Sequence, residues 1–151
     1  LMILNSVVLD LNAGSWKQAF EQITEQASYH TPLKARDLYE HLTDMEREHP
    51  SGVGGGIAIP HSVVEMLNDP YLLIARSNQK IQMNTVDNEP VDIFALLLSP
   101  QSDGGIHLQR LSRITRLLQS SDTKTALRGA AAENQIYSLI GHPLALQQDA
   151  A

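Results

Sequence analysis

Two histidines hold most of the chemical possibilities of this chain. His61 closes the run Gly56-Ile57-Ala58-Ile59-Pro60-His61, and His107 opens an amphipathic stretch that continues to Leu118. Each follows a glycine-bearing loop that adjoins an apolar, strand-like run, and loops of that kind gather where sites form in α/β folds. An imidazole that titrates near neutrality can act as a nucleophile, an acid–base group or a metal ligand. Pro60 fixes its own φ and has no amide donor, so the strand is expected to stop there and deliver His61 to the mouth of a loop. Gly52, Gly54, Gly55 and Gly56 would let backbone come close to a ligand. His107 sits at a helix start, where free amides and the helix dipole attract anions. Spacing alone leaves two readings open: one shared site, or two unrelated loop histidines.

Several chemistries are excluded or disfavoured. The chain contains no cysteine, which removes disulfides, thiolate catalysis and thiolate zinc sites and fits a reducing compartment. A zinc site needs three or four ligands; His61 and His107 supply two, and no His-x-His or His-Glu-x-x-His pattern adds more. The glycine run lacks the Gly-Lys-Ser/Thr ending of a phosphate loop. Ser62 is adjacent to His61 and no nucleophile elbow is present, which argues against a serine hydrolase. The formal net charge is −6 and the basic residues are dispersed, so nucleic acid is not expected as a partner. No apolar run approaches the roughly 20 residues of a membrane span, and the start of the chain has no signal-peptide pattern, so no membrane insertion is expected and a cytoplasmic location is. Nucleophilic histidine chemistry remains: a neutral imidazole nitrogen can accept a phosphoryl group, with no cofactor, given positioning and charge stabilisation. His41 lies within an amphipathic helix and reads as a surface or packing residue, whereas His30, His49 and His142 fall at helix ends.

The elements that must position these residues follow from periodicity. The chain has 151 residues, enough for one domain with a core. Residues 7–11 read as a short strand. Ser15 and Gln18 form a capping-box pattern ahead of a helix over 16–28, with Trp16, Ala19, Phe20, Ile23 and Ala27 on one face. Thr31-Pro32 is expected to open a second helix that carries Ala35, Leu38, Leu42 and Met45 on one face and stops at Pro50. Strands are predicted at Ile57–Ile59, Tyr71–Ala75, Ile81–Thr85 and Val91–Leu98, the last apolar enough to be covered on both faces. A helix beginning at His107 and two short helices over 123–131 and 133–140, stopped by Gly141, complete the pattern. The expected fold is α/β, a small mixed sheet flanked by helices on both sides.

The residues also carry a family resemblance. Gly56-Ile57-Ala58-Ile59-Pro60-His61 resembles the active-site signature of the fructose/mannitol-type enzyme IIA domains of the bacterial phosphoenolpyruvate-dependent phosphotransferase system. The similarity continues through Val91–Leu98, the loop Ser99–Ile106 and His107-Leu108-x-x-Leu111, and covers about residues 3–140. A free-standing domain with Arg47-Glu48 ahead of the glycines is most similar to the nitrogen-regulatory branch. The resemblance implies a single type-2 IIA domain over 3–145, with 1–2 and 146–151 loosely ordered. It implies that His61 is phosphorylated, at Nε2, and that His107 is the second active-site histidine. Arg47 matches a family arginine near the site, and Ser51 a position usually held by threonine. The implied donor is a phosphorylated HPr-like carrier protein, and the implied output is binding of regulatory target proteins according to phosphorylation state. The alternatives are a sugar-specific IIA that passes phosphate to a IIB component, and a regulatory binding module that needs no phosphate. The sequence departs from the family where Ser62-Val63-Val64-Glu65 replaces the usual small residue and nearby lysine, and where the segment from Arg47 to the glycines is shortened.

Overall fold

The computed structural model of the protein describes residues 3–141. His142 and the terminal boundaries expected at 145 and 146–151 lie outside the described residues. In chain order the elements are β1 (Ser6–Leu11), α1 (Trp16–Ser28), α2 (Ala35–Glu48), β2 (Gly52–Gly54), β3 (Ile57–Ala58), β4 (His61–Val64), β5 (Tyr71–Ile81), β6 (Val91–Pro100), α3 (Ile106–Gln119), α4 (Ser121–Gly129) and α5 (Glu133–Ile140). A single 3₁₀ turn, Gln101–Asp103, links β6 to the glycines before α3.

Local chemistry explains most of these boundaries. Ser15 caps α1 by accepting from the Gln18 amide at 3.2 Å, and Gln18 reaches back to the Gly14 amide at 2.8 Å. The second helix starts at Ala35, three residues later than Thr31-Pro32 suggests. Thr31 is already committed to α1: its hydroxyl donates to the Ala27 carbonyl at 2.9 Å, closing that helix instead of capping the next. The strand expected over 81–85 is also absent as a separate element. Ile81 ends the long β5, and Thr85 contributes only an isolated bridge to Gly52.

The sheet runs β1-β5-β6-β3-β2, with β4 also paired to β6. β5 is antiparallel to β6, β1 is parallel to β5, and β3 and β4 are both parallel to β6. Two apolar layers cover its faces. Phe94, Leu96 and Leu98 of β6 pack with Phe20, Ile23, Leu38 and Leu42 of α1 and α2. Ile93, Ala95 and Leu97 pack with Ile114, Leu118, Leu127, Ile136 and Ile140 of α3, α4 and α5. Helices on both sides of a mixed sheet are what the sequence pattern called for, and β6 is buried along its whole length apart from a partly exposed Asp92.

The first strand stops before Pro60 as expected, with β3 ending at Ala58, but His61 does not pass to the mouth of a loop. Ile57 and Ala58 pair with Ile93 and Phe94; His61 and Ser62 pair with Leu97 and Leu98, so the register on β6 is the same on both sides of the gap. Proline removes one amide donor, but its carbonyl still accepts from the Leu97 amide at 3.1 Å, and the extended chain continues. His61 is therefore the first residue of β4, held by a sheet ladder. Because side chains alternate along a strand, His61 shares the α3-side face with Leu97, and Ser62 turns toward α1 and α2.

The glycines do not frame His61 either. They form the tight β2–β3 turn, with Gly54, Gly55 and Gly56 all at positive φ. That turn lies at the Ile93 end of β6, four ladder positions from Leu97, which is about 13 Å along a strand. Gln119 donates to the Gly54 carbonyl at 2.9 Å, and Arg128 donates to the Gly55 carbonyl at 3.0 Å while clasping Asp92 through two 2.9 Å hydrogen bonds. A Cβ at Gly56 would stand 2.5 Å from Arg128 Nη2 and 2.8 Å from Asp92 Oδ1, on a backbone at φ +82. Gly56→Ala is accordingly expected to cost about 1–3 kcal/mol in denaturant unfolding. Gly129→Ala, with open space around the added carbon, serves as the control and is expected to change stability by no more than about 0.5 kcal/mol.

Candidate functional site

The sheet and α3 bring the two histidines together. His61 comes from the first position of β4 and His107 from the first turn of α3, and His61 Nδ1 lies 3.0 Å from His107 Nε2. The ring centroids are 5.1 Å apart at 37°. Of the two readings that spacing left open, the shared site is the one the geometry produces.

His107 is buried and held from behind. Its Nδ1 lies 2.7 Å from Ser99 Oγ, at the fully buried end of β6. Arg110, one turn along α3, donates to the same oxygen at 3.1 Å. The guanidinium also meets Asp103 of the 3₁₀ turn, with Nη1 2.6 Å from Oδ2. That approach is a charge contact without hydrogen-bond alignment, since Asp103 Oδ2 is buried and makes no hydrogen bond. Five side chains thus form one line: Asp103, Arg110, Ser99, His107 and His61.

The outer end of the line is open. His61 is half-buried, and its Nε2 has no hydrogen-bond partner among the described residues. Gly105 offers α3 no side-chain cap, so first-turn amides remain available beside the rings. Val63 follows His61 on the same face of β4, and Ile106 and Leu108 flank His107; these three apolar residues are exposed. The result is an imidazole edge, free amide donors and an apolar rim, an arrangement suited to receiving an anionic group from another protein. Among the described residues no group of three or more acidic or histidine side chains could hold a metal ion.

Burial lowers the pKa of His61, and the neighbouring His107 lowers it further. Burial likewise lowers that of His107, with the Arg110 charge adding to the effect. Both rings therefore stay neutral below the usual histidine range, which keeps a nitrogen lone pair available.

The other sequence candidates take up separate pairings. Arg47, in the last turn of α2, is exposed and bonds Asp44 at 2.9 Å. Ser51 donates from Oγ to Glu46 Oε1 at 2.6 Å and from its amide to Oε2 at 3.0 Å, while its carbonyl accepts from the Ile59 amide. Neither hydrogen-bonds to the rings of His61 or His107. His41 is more than a packing residue: its Nε2 lies 2.7 Å from Ser62 Oγ and ties α2 to the strand that carries His61. Sequence reading also missed Ser99, Asp103 and Arg110. Arg110 had a legible signal, standing three residues after His107 on the same helix face. A serine ending an apolar strand carried none.

Two measurements follow. The His61 ring, titrated by NMR, is expected to gain its proton with a midpoint below 6.5, and His107→Gln is expected to move that midpoint upward by removing a second ionisable ring whose protonated form repels a proton on His61. Because the folded rings resist protonation, their contribution to stability is present above the ordinary 6.5 and is lost as pH falls below it through the depressed folded values. Glu46 has the opposite sign. Burial raises its carboxyl above 4.5 despite the two Ser51 donors, so the wild type loses stability relative to Glu46→Gln as pH rises through that raised value. Urea midpoints of the two proteins across pH 4.5 and above would show the difference shrink or reverse at the acid end.

Comparison with known proteins agrees with this architecture. The family model described as phosphoenolpyruvate-dependent sugar phosphotransferase system, EIIA 2, matches residues 2–142. A nitrogen regulatory protein of Bradyrhizobium diazoefficiens is 34% identical over 143 residues, which is 95% of this chain and 94% of that protein. A fructose-specific EIIA component of Haloferax volcanii is 31% identical over 66% of this chain and 64% of its own length. Among solved structures, the nitrogen regulatory protein IIA-Ntr of Neisseria meningitidis superposes with a TM-score of 0.83 at 24% identity, covering 89% of this chain and 92% of that one. The mannitol IIA of Escherichia coli superposes at 0.73 with 15% identity, over 89% of this chain and 95% of that one, so those two likenesses speak for the fold.

Proposed function

Since the chain belongs to the EIIA 2 family of the phosphoenolpyruvate-dependent sugar phosphotransferase system, we propose that His61 is its phosphoryl acceptor and that Nε2 is the atom that bonds phosphorus. One observation carries the choice of atom: His61 Nδ1 is engaged by His107 at 3.0 Å, which leaves Nε2 as the free ring nitrogen at the open end of the site. The phosphoryl group arrives on an HPr-like carrier protein. The donor N–P bond breaks, its electron pair stays on the donor ring, and a new N–P bond forms at His61 Nε2. His107 steadies the acceptor ring through Nδ1. The free amides at the start of α3 receive phosphoryl oxygens, in keeping with the preference of anions for helix N-termini. The lowered pKa keeps His61 neutral with a single ring proton, and Nε2 offers its lone pair to phosphorus once that proton is on Nδ1. Arg47 and Ser51 remain candidates for supporting roles once a partner is docked. The reaction belongs in the cytoplasm.

The output we favour is regulatory: binding of target proteins that differs between the phosphorylated and free forms. Relatives named nitrogen regulatory protein match over 80% to 94% of their own length. The second reading is a sugar-specific IIA that hands phosphate to a IIB component. It is supported by the Haloferax relative and by the likeness to a mannitol IIA solved in complex with phosphorylated IIB.

The test is a phosphorylation assay with phosphoenolpyruvate, enzyme I and an HPr-like carrier, read by intact-protein mass. One added phosphoryl group on the wild type and none on His61→Ala is the expected result. Unmodified wild type, or undiminished addition to the variant, would refute the assignment of His61.

A further inference from the structure

Ser99 Oγ holds two partners, and their chemistry determines where its proton points. A hydroxyl has one proton to give and lone pairs to receive with, whereas a guanidinium only donates. Arg110, at 3.1 Å, therefore takes a lone pair of Ser99 Oγ. Among the described residues the remaining hydrogen-bond partner of that oxygen is His107 Nδ1, at 2.7 Å. The serine proton is thus directed at Nδ1, and a nitrogen that accepts must be bare. Neutral His107 then carries its proton on Nε2 and donates it to His61 Nδ1 across 3.0 Å. His61 Nδ1 is bare in turn, and the His61 proton sits on Nε2. The charge of Arg110 reinforces the same polarity by drawing electrons from the Ser99 hydroxyl.

We propose that Ser99, clamped by Arg110 and Asp103, is a positioning residue that sets the tautomer of both histidines, placing the resting proton on His61 Nε2, and that the hydrogen bonds from Ser99 through His107 to His61 reverse when His61 carries phosphate, while Arg110 goes on donating to Ser99. The inference rests on reading His61 as the phosphoryl acceptor. A phosphoryl group at Nε2 needs that nitrogen's lone pair, so the ring proton must then lie on Nδ1 and be donated to His107 Nε2. His107 in turn carries its proton on Nδ1 and donates to Ser99. The proton count is unchanged: water takes the proton released from His61 Nε2, the His107 Nε2 proton passes to His61 Nδ1, and water supplies the one that appears on His107 Nδ1. A hydroxyl permits this reversal because it can donate or accept. In the reversed line Ser99 receives from both neighbours, and its own proton has no acceptor among the described residues. That makes the phosphorylated arrangement the less comfortable one and favours passing the group onward.

The ring nitrogens can be read directly by NMR on the full chain with ¹⁵N-labelled histidine, at a pH where both rings are neutral. The expected unphosphorylated spectrum has His107 and His61 both protonated at Nε2; after phosphorylation both protons move to Nδ1. Ser99→Ala is expected to turn the single His107 tautomer into a mixture, and Ser99→Thr to restore it. Arg110→Met keeps the hydroxyl but frees its lone pair, so it is also expected to raise the Nδ1–H population, and it serves if Ser99→Ala does not fold. A wild-type His107 protonated at Nδ1, or tautomers unmoved by both variants, would overturn the role of Ser99. Absence of phosphate on wild-type His61 would instead overturn the proposed function and leave the resting tautomers as they are.

Discussion

The pairing of β6 with the chain on either side of Pro60 is the constraint from which the site follows. β6 is the buried centre of the sheet, and its ladder to β3 and β4 keeps one register across the proline. That register alone decides that His61 shares the α3-side face with Leu97. It also places Ser99, two ladder positions beyond Leu97, at the strand end beneath the first turn of α3. A shift of one residue would turn His61 toward α1 and α2 and Ser62 toward His107. The surrounding layers of Phe94, Leu96 and Leu98 on one side and Ile93, Ala95 and Leu97 on the other leave the ladder no such freedom.

The site itself is a graded environment. At the inner end, charge is balanced by Asp103 against Arg110, and Ser99 is fully buried. In the middle, His107 is buried and neutral. At the outer end, His61 exposes one ring edge amid apolar residues. Desolvation is useful here because it holds both rings in the form that has a lone pair, and the Arg110 cation acts on His107 through Ser99. The glycine turn and the Arg128–Asp92 clasp do their work at the other end of β6, where they fasten the β2–β3 edge to α3 and α4.

Much of this was legible before the fold was known. Helix α1 begins and ends where Ser15 and the apolar spacing put it, β6 is as buried as its unbroken apolar run implied, and helices cover both faces. The misreadings share a cause. Pro60, Thr31-Pro32 and the glycines were read by their local preferences, and in each case a partner distant in sequence or an already committed hydroxyl changed the outcome: β6 for Pro60, the Ala27 carbonyl for Thr31, Arg128 and Gln119 for the turn. Local preference is worth about 1 kcal/mol at a position and yields to a buried ladder.

The identities and spacing of residues by themselves determined the class of fold, the two histidines and the chemistries they exclude, because periodicity and side-chain type are local properties of the chain. Only the tertiary structure decided that the two rings meet nitrogen to nitrogen, that Ser99 and Arg110 stand behind them, and that Arg47 and Ser51 turn to Asp44 and Glu46. Those outcomes depend on strand register and helix placement to within an ångström, which no local pattern encodes and which packing of the whole core selects.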